Sequence, residues 1–154
     1  MLRALLAIVH VGTGAVWLGA MAYSLVVVQP RAERLLGTDR YEEFAATVAA
    51  GARWKVLAMA GALAASGLGL VAVRLVEAAD TRPAWVALVL VKGALLLAVV
   101  AVFWYVSWRL WPRRLFALDE ELPAVKRRFT AAAFTLGGLV GANLVLGVLA
   151  DQLR

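Results

Sequence analysis

The sequence of 154 residues contains no cysteine and only one histidine. The lack of cysteine excludes disulfides, thiolate metal sites and thiol redox chemistry. One histidine with three methionines argues against a tetrahedral zinc site and rules out bis-histidine haem within one chain. The sequence also has no nucleotide-binding glycine loop and no arrangement typical of a catalytic serine.

Charge is scarce as well: only 17% of the residues are charged, whereas 64% are hydrophobic. A soluble domain usually has about a quarter charged residues. The apolar residues form four stretches, at about 4–28, 56–76, 85–108 and 130–150. Each is close to or above the ~20 residues that a helix needs to cross a bilayer. The sequence therefore predicts an all-α polytopic membrane four-helix bundle, with residues 1–154 as a single domain in the lipid bilayer.

The first apolar stretch begins near the N-terminus, as a signal peptide would. It is longer than the ~7–15 apolar residues of a secretory signal, so we expect it to be a retained span. Pro30 follows it directly and is expected to stop the helix.

Basic residues are distributed unevenly between the connections. Eleven lie in the first and third connections, at 29–55 and 109–129, and four lie on the opposite side. The positive-inside rule places the eleven in the cytoplasm. Both termini are then outside a bacterial inner membrane, and the basic surplus indicates topology rather than a nucleic-acid partner.

Two connections have features of short amphipathic helices at the membrane surface. Residues 39–50 carry apolar side chains at helical spacing, and a second such piece lies between Pro112 and Pro123. The stretch 77–84 is expected to form a tight turn. No internal repeat is convincing from the sequence alone.

Small residues at four-residue spacing predict close helix packing. They are Gly61, Ala65 and Gly69 in the second stretch, and Ala133, Gly137 and Gly141 in the fourth.

Two ionisable residues lie inside apolar stretches, His10 in the first and Lys92 in the third. Such a group at bilayer depth costs roughly 3 kcal/mol on insertion scales, so it usually faces a bundle interior and marks a site. Each lies about 9–10 Å from the outer end of its span, as does Asn143 in the fourth stretch. We therefore expect these side chains to share a cavity in the outer third of the membrane.

One face of the first stretch carries His10, Gly14, Trp17 and Met21. The glycine leaves room beside the imidazole for a planar or bulky ligand. Alternatively, His10 is hydrogen-bonded across the bundle and the other side chains pack the core. Lys92 has two interpretations as well: its stem extends to the outer headgroups, or its ammonium binds an anionic group such as a carboxylate or a porphyrin propionate.

The segment HVGTGAVWLGAMAYSLVVVQPR, with His10 followed seven residues later by Trp17, Leu18 and Gly19, resembles the first helix of the copper-resistance D family. The segment LVLVKGALLLAVVAV, with Lys92 inside it, resembles a later helix of the same family. The haem b-binding, four-helix protoporphyrinogen oxidase family looks similar. The resemblance covers the four-span core.

The resemblance implies three alternative functions. The first is handling of copper or a related redox cofactor at the outer face, with His10 as ligand, Met21 as a second ligand or path residue, and Lys92 and Asn143 as polar supports. The second is a haem b-binding oxidoreductase, in which His10 is the axial ligand, Trp17 lies at the cofactor and Lys92 pairs with a propionate. The third is a non-catalytic accessory subunit of a larger membrane complex or homo-oligomer.

Overall fold

The computed structural model describes residues 1–77, 82–118 and 120–152, and this part of the chain is helical without any strand. The elements are α1 (Leu2–Tyr23), a π-helical turn π1 (Ser24–Val28), α2 (Gln29–Glu77), α3 (Pro83–Tyr105), a second π-helical turn π2 (Val106–Leu110), α4 (Trp111–Leu115) and α5 (Leu122–Gln152). The prediction of an all-helical protein is confirmed for these residues.

Within the described part of the chain, three helical stretches are long and apolar enough to cross a membrane by length and composition: Leu2–Glu77, Pro83–Leu115 and Leu122–Ala150. The first of them reverses direction. His10 and Ser66 are 56 positions apart, yet their side chains lie 2.9 Å from each other, whereas a straight helix would separate them by about 84 Å. Within α2, Gly37 has φ 71° and ψ 173°, a conformation that essentially only glycine adopts. Gly37 therefore interrupts the helix between the two antiparallel parts.

Pro30 does not stop the first helix, contrary to the expectation from the sequence. Helical structure continues through it as far as Gly37. A proline inside a helix lacks the backbone N–H and its ring clashes with the carbonyl four residues earlier. The wider turn of π1 ends at Val28, two residues before Pro30, and such an insertion relieves this clash. The same solution recurs in π2, which directly precedes the Trp111–Pro112 pair of α4.

The two expected surface helices differ from the prediction. Residues 39–50 are not a separate element but the beginning of the long second part of α2, where Tyr41 is buried to 5% exposure. The helix that begins in this segment continues without a break into the apolar stretch. Between Pro112 and Pro123, the described residues form the end of α4 (Trp111–Leu115), turn residues and the start of α5 at Leu122, and not a separate amphipathic helix. Residues 78–81 of the expected turn at 77–84 lie outside the described residues.

The helices form two compact units, Met1–Ala79 and Asp80–Arg154, here called the N-terminal hairpin and the C-terminal hairpin. In the first, α1 packs against α2 and buries Trp17, Ala60 and Ser66. In the second, α3 packs against α5 and buries Val99 and Leu136. Each hairpin thus has its own apolar seam.

The glycines that permit close packing are only partly those expected. A side chain at Gly69 would begin 3.1 Å from Leu6, so this position does require a small residue. At Gly61 and Gly141 an added Cβ would meet nothing within 4 Å. The expectation of close packing at these two positions is wrong, because a small residue is needed only where a neighbouring helix approaches.

Candidate functional site

The N-terminal hairpin contains a polar contact at its helix seam. His10 is half-buried on α1, and its Nδ1 lies 2.9 Å from the hydroxyl of Ser66 on α2, which is buried. The sequence pattern places Gly69 of the second apolar stretch at the depth of His10, and Ser66 one turn deeper. The structure places His10 and Ser66 in direct contact.

The hydrogen bonds of Ser66 determine the tautomer of His10. Ser66 Oγ lies 2.6 Å from the carbonyl oxygen of Ala62 and 3.3 Å from that of Leu63. A hydroxyl has one proton, and two bare oxygens at 2.6 Å would repel each other, so Ser66 donates its proton to the backbone. It can then only accept from His10, which must carry its proton on Nδ1.

In the neutral imidazole, this arrangement places the lone pair on Nε2. A ring nitrogen with a lone pair is the form that ligates a metal, and a hydrogen bond to the other nitrogen orients the ring. Gly67 supports the same orientation, because a Cβ at this position would lie 3.1 Å from His10 Cε1. Ser66 and Gly67 together hold the edge of the ring that carries Nδ1 against α2.

The remaining residues of the predicted stripe continue along α1. Gly14 and Trp17 are buried, the latter to 4% exposure. Met21 is half-buried and eleven positions beyond His10, which is about 16 Å along the helix axis. One ion could not bind both side chains in this helix, so Met21 fits the alternative of a path residue.

The C-terminal hairpin contains a second polar contact, between Lys92 on α3 and Asn143 on α5. Lys92 Nζ donates to the backbone carbonyl of Asn143 at 2.8 Å, and Asn143 Nδ2 donates to the backbone carbonyl of Lys92 at 3.0 Å. Each side chain thus satisfies the backbone of the other helix. The sequence indicated that these two residues lie at one depth, and the structure brings them together.

A glycine explains why Lys92 reaches a helix carbonyl. Side chains on a helix cover the turn on the N-terminal side of their own Cα. Residue 147 therefore covers the turn that holds the Asn143 carbonyl, and there a Cβ would lie 3.0 Å from Lys92 Nζ. Any larger residue at this position would push the ammonium away from the carbonyl. Sequence analysis did not identify Gly67 or Gly147, although each is a glycine near a polar residue in an apolar stretch.

Two predictions about the site stay predictions. The first is that His10 and Lys92 face one cavity, which would have to be formed by both hairpins. The use of His10 as a metal ligand also remains untested. Among residues 1–77, 82–118 and 120–152, no group of three His, Cys, Asp or Glu side chains is close enough to hold a metal ion.

Comparison with protein-family models, curated proteins and solved structures gives no match for this chain. The resemblance to the copper-resistance D and protoporphyrinogen oxidase families therefore stays a prediction. The function has to be argued from the residues themselves.

Proposed function

We propose that this chain is an integral membrane protein that binds a redox cofactor through His10, and that haem b is the cofactor. The observation that carries the proposal is the 2.6 Å contact from Ser66 Oγ to the Ala62 carbonyl. It directs the serine proton to the backbone and leaves the ligating lone pair on His10 Nε2.

The donor set favours haem over a bare copper ion. Haem brings four nitrogen ligands of its own and needs one axial side chain from the protein. A copper ion requires several protein donors of the soft or imidazole type. Among the described residues, no group of three His, Cys, Asp or Glu side chains could hold a metal ion. Met21 is about 16 Å further along α1 than His10.

In this proposal the chain orients the ligating imidazole and adjusts the basicity of its Nε2. Ser66 accepts a hydrogen bond from Nδ1–H and Gly67 leaves space for the ring, so His10 presents Nε2 in a fixed direction. Haem, when bound, supplies one-electron redox chemistry. The hydrogen bond on Nδ1 raises the basicity of the ligating nitrogen.

We further propose that the protein has four spans, because the reversal at Gly37 divides the first 76-residue stretch. Eleven basic residues in the first and third connections place these connections in the cytoplasm of a bacterium and both termini outside. His10 then lies in the outer half of the inner membrane.

Haemin titration of the detergent-purified full chain tests the cofactor. We expect a Soret band that saturates at one haem per chain. His10→Ala should abolish this band because it removes the axial ligand. Val11→Ala, on the exposed side of the same helix, is the matched control and should bind as the unaltered chain does.

Three other results would contradict the haem proposal. Equal haemin binding by the His10→Ala variant would show that the band arises from nonspecific partition. Copper in elemental analysis, lost in His10→Ala and without a Soret band, would favour copper handling. Neither cofactor would favour an accessory subunit. Circular dichroism of each variant should confirm that the helices are intact.

A further inference from the structure

A spacing of 82 positions relates the first helix of one hairpin to the first helix of the other. At this spacing Tyr23 corresponds to Tyr105, Pro30 to Pro112 and Arg31 to Arg113. Two further identical pairs, Leu6 with Leu88 and Val9 with Val91, lie in the helices themselves. Apolar helices share residues by chance, but a tyrosine followed seven positions later by proline and arginine is a more specific pattern.

The backbone follows the same spacing. The helices α1 and α3 end at Tyr23 and Tyr105, and each continues as a five-residue π-helical turn, Ser24–Val28 or Val106–Leu110. π-Helical turns are rare, and inside proteins they occur mostly as single insertions. Two of them in register, each directly before the segment with the proline, are therefore strong evidence that the hairpins are built alike.

Burial agrees with this correspondence. Trp17 is 4% exposed and Val99 is 1% exposed, and these are the least exposed side chains of α1 and α3. They too are 82 positions apart. The corresponding position thus faces the seam in both hairpins.

The polar contacts complete the pattern. His10 and Lys92 are related by the same 82 positions. Each reaches across the seam to the returning helix, His10 to the hydroxyl of Ser66 and Lys92 to the backbone carbonyl of Asn143. Each also lies near a glycine of that helix, Gly67 for His10 and Gly147 for Lys92. The spacing between Ser66 and Asn143 is 77 positions, so the second hairpin is shorter by five residues between its arginine and its polar partner.

We infer that the chain is a tandem repeat of one helical hairpin, and that Lys92 with Asn143 is the second copy of the ligand position formed by His10 with Ser66. The two copies retain the same place at the seam and differ in the side chain that occupies it. An imidazole introduced at position 92 should therefore make the same hydrogen bond across the seam as His10 does. This inference does not depend on which cofactor His10 binds.

The presence of a single histidine allows a direct test by solid-state NMR. The full chain, labelled with ¹⁵N-histidine and reconstituted in lipid, should show one imidazole protonated on Nδ1. The triple variant His10→Ala, Lys92→His, Asn143→Ser again has one histidine. If the positions are equivalent, its serine donates to the carbonyl four residues back and its imidazole shows the same Nδ1-protonated tautomer.

The matched control is the triple variant His10→Ala, Leu90→His, Asn143→Ser. Leu90 is 69% exposed and lies two positions from Lys92, about 3 Å along the axis. Its imidazole should lack the Nδ1 signature. A Lys92→His spectrum that matches this control, and not that of the unaltered chain, would overturn the inference.

Two further measurements keep the outcome clear. If the triple variant does not fold, the double variant His10→Ala, Lys92→His makes the same test, because the amide oxygen of Asn143 also accepts from Nδ1. If the triple variant regained haemin binding, this would support the repeat as well. That interpretation rests on the proposed function. Absence of haemin binding in the unaltered chain would refute that function alone, since the tautomer signals decide the repeat independently.

Discussion

At the scale of single residues, Ser66 is more informative than the histidine that it contacts. Its hydroxyl bonds to the carbonyl four residues earlier, as Ser and Thr often do in helices. That local bond consumes the only proton and turns the oxygen toward α1 as an acceptor. A common feature of apolar helices thereby sets the protonation of an imidazole on another helix.

Replacement of Ser66 by Ala should remove the hydrogen bond that keeps the proton of His10 on Nδ1. We expect haemin affinity to fall by about 10–100-fold, the usual effect of losing a partner of a ligating histidine. Titration followed at the Soret band measures this. Thr135→Ala is the control, since Thr135 makes the same local bond to Ala131 and is exposed. An equal loss in both variants would contradict the role of Ser66.

Gly147 offers a second test at this scale. Gly147→Val should displace the Lys92 ammonium from the Asn143 carbonyl, and lower stability by about 1 kcal/mol, as expected for an interhelical hydrogen bond in a membrane protein. Thermal unfolding in detergent measures the change. Gly138→Val, where a Cβ meets nothing within 4 Å, should unfold as the unaltered chain does. If both variants unfold alike, Gly147 is not a contact position.

At the scale of helices, much of the architecture was predictable. The expected spans at 4–28 and 85–108 coincide with α1 plus π1 and with α3 plus π2, because hydrophobic length is a strong signal. The prediction that Pro30 stops the first helix was wrong because a π-helical turn cannot be recognised from composition. Lys92 and Asn143 were paired by depth alone, whereas the glycines beside the polar groups depend on where two helices approach, which one sequence does not show.

The break at Gly37 leads to a prediction at the same scale. Gly37→Ala forces a side chain into a backbone conformation that glycine alone adopts readily, at a cost of roughly 1–3 kcal/mol. We expect a lower unfolding temperature in detergent. Gly51→Ala is the control, because Gly51 is helical and open, and alanine there should be neutral or stabilising by about 0.5–1 kcal/mol. A stable Gly37→Ala variant would show that the reversal does not need this conformation.

At the scale of the whole molecule, the charge distribution predicts the orientation. Reporter fusions after residue 154 should be active only as periplasmic reporters, and fusions in the segment 109–121 only as cytoplasmic ones, because eleven basic residues oppose four. Alkaline phosphatase and green fluorescent protein provide the two readouts. A fluorescent C-terminal fusion would reverse the assignment. It would also place His10 near the cytoplasmic side.

The bond from Lys92 to the Asn143 carbonyl means that a peptide dipole, rather than an acidic side chain, solvates this ammonium. Mutations at Lys92 should therefore compensate for mutations at Gly147, the residue that its ammonium approaches. Second-site suppressors of Gly147→Val are expected at residue 92, as shorter or uncharged side chains, and not at any aspartate or glutamate. Searches for a compensating acid would miss the residue that constrains the lysine.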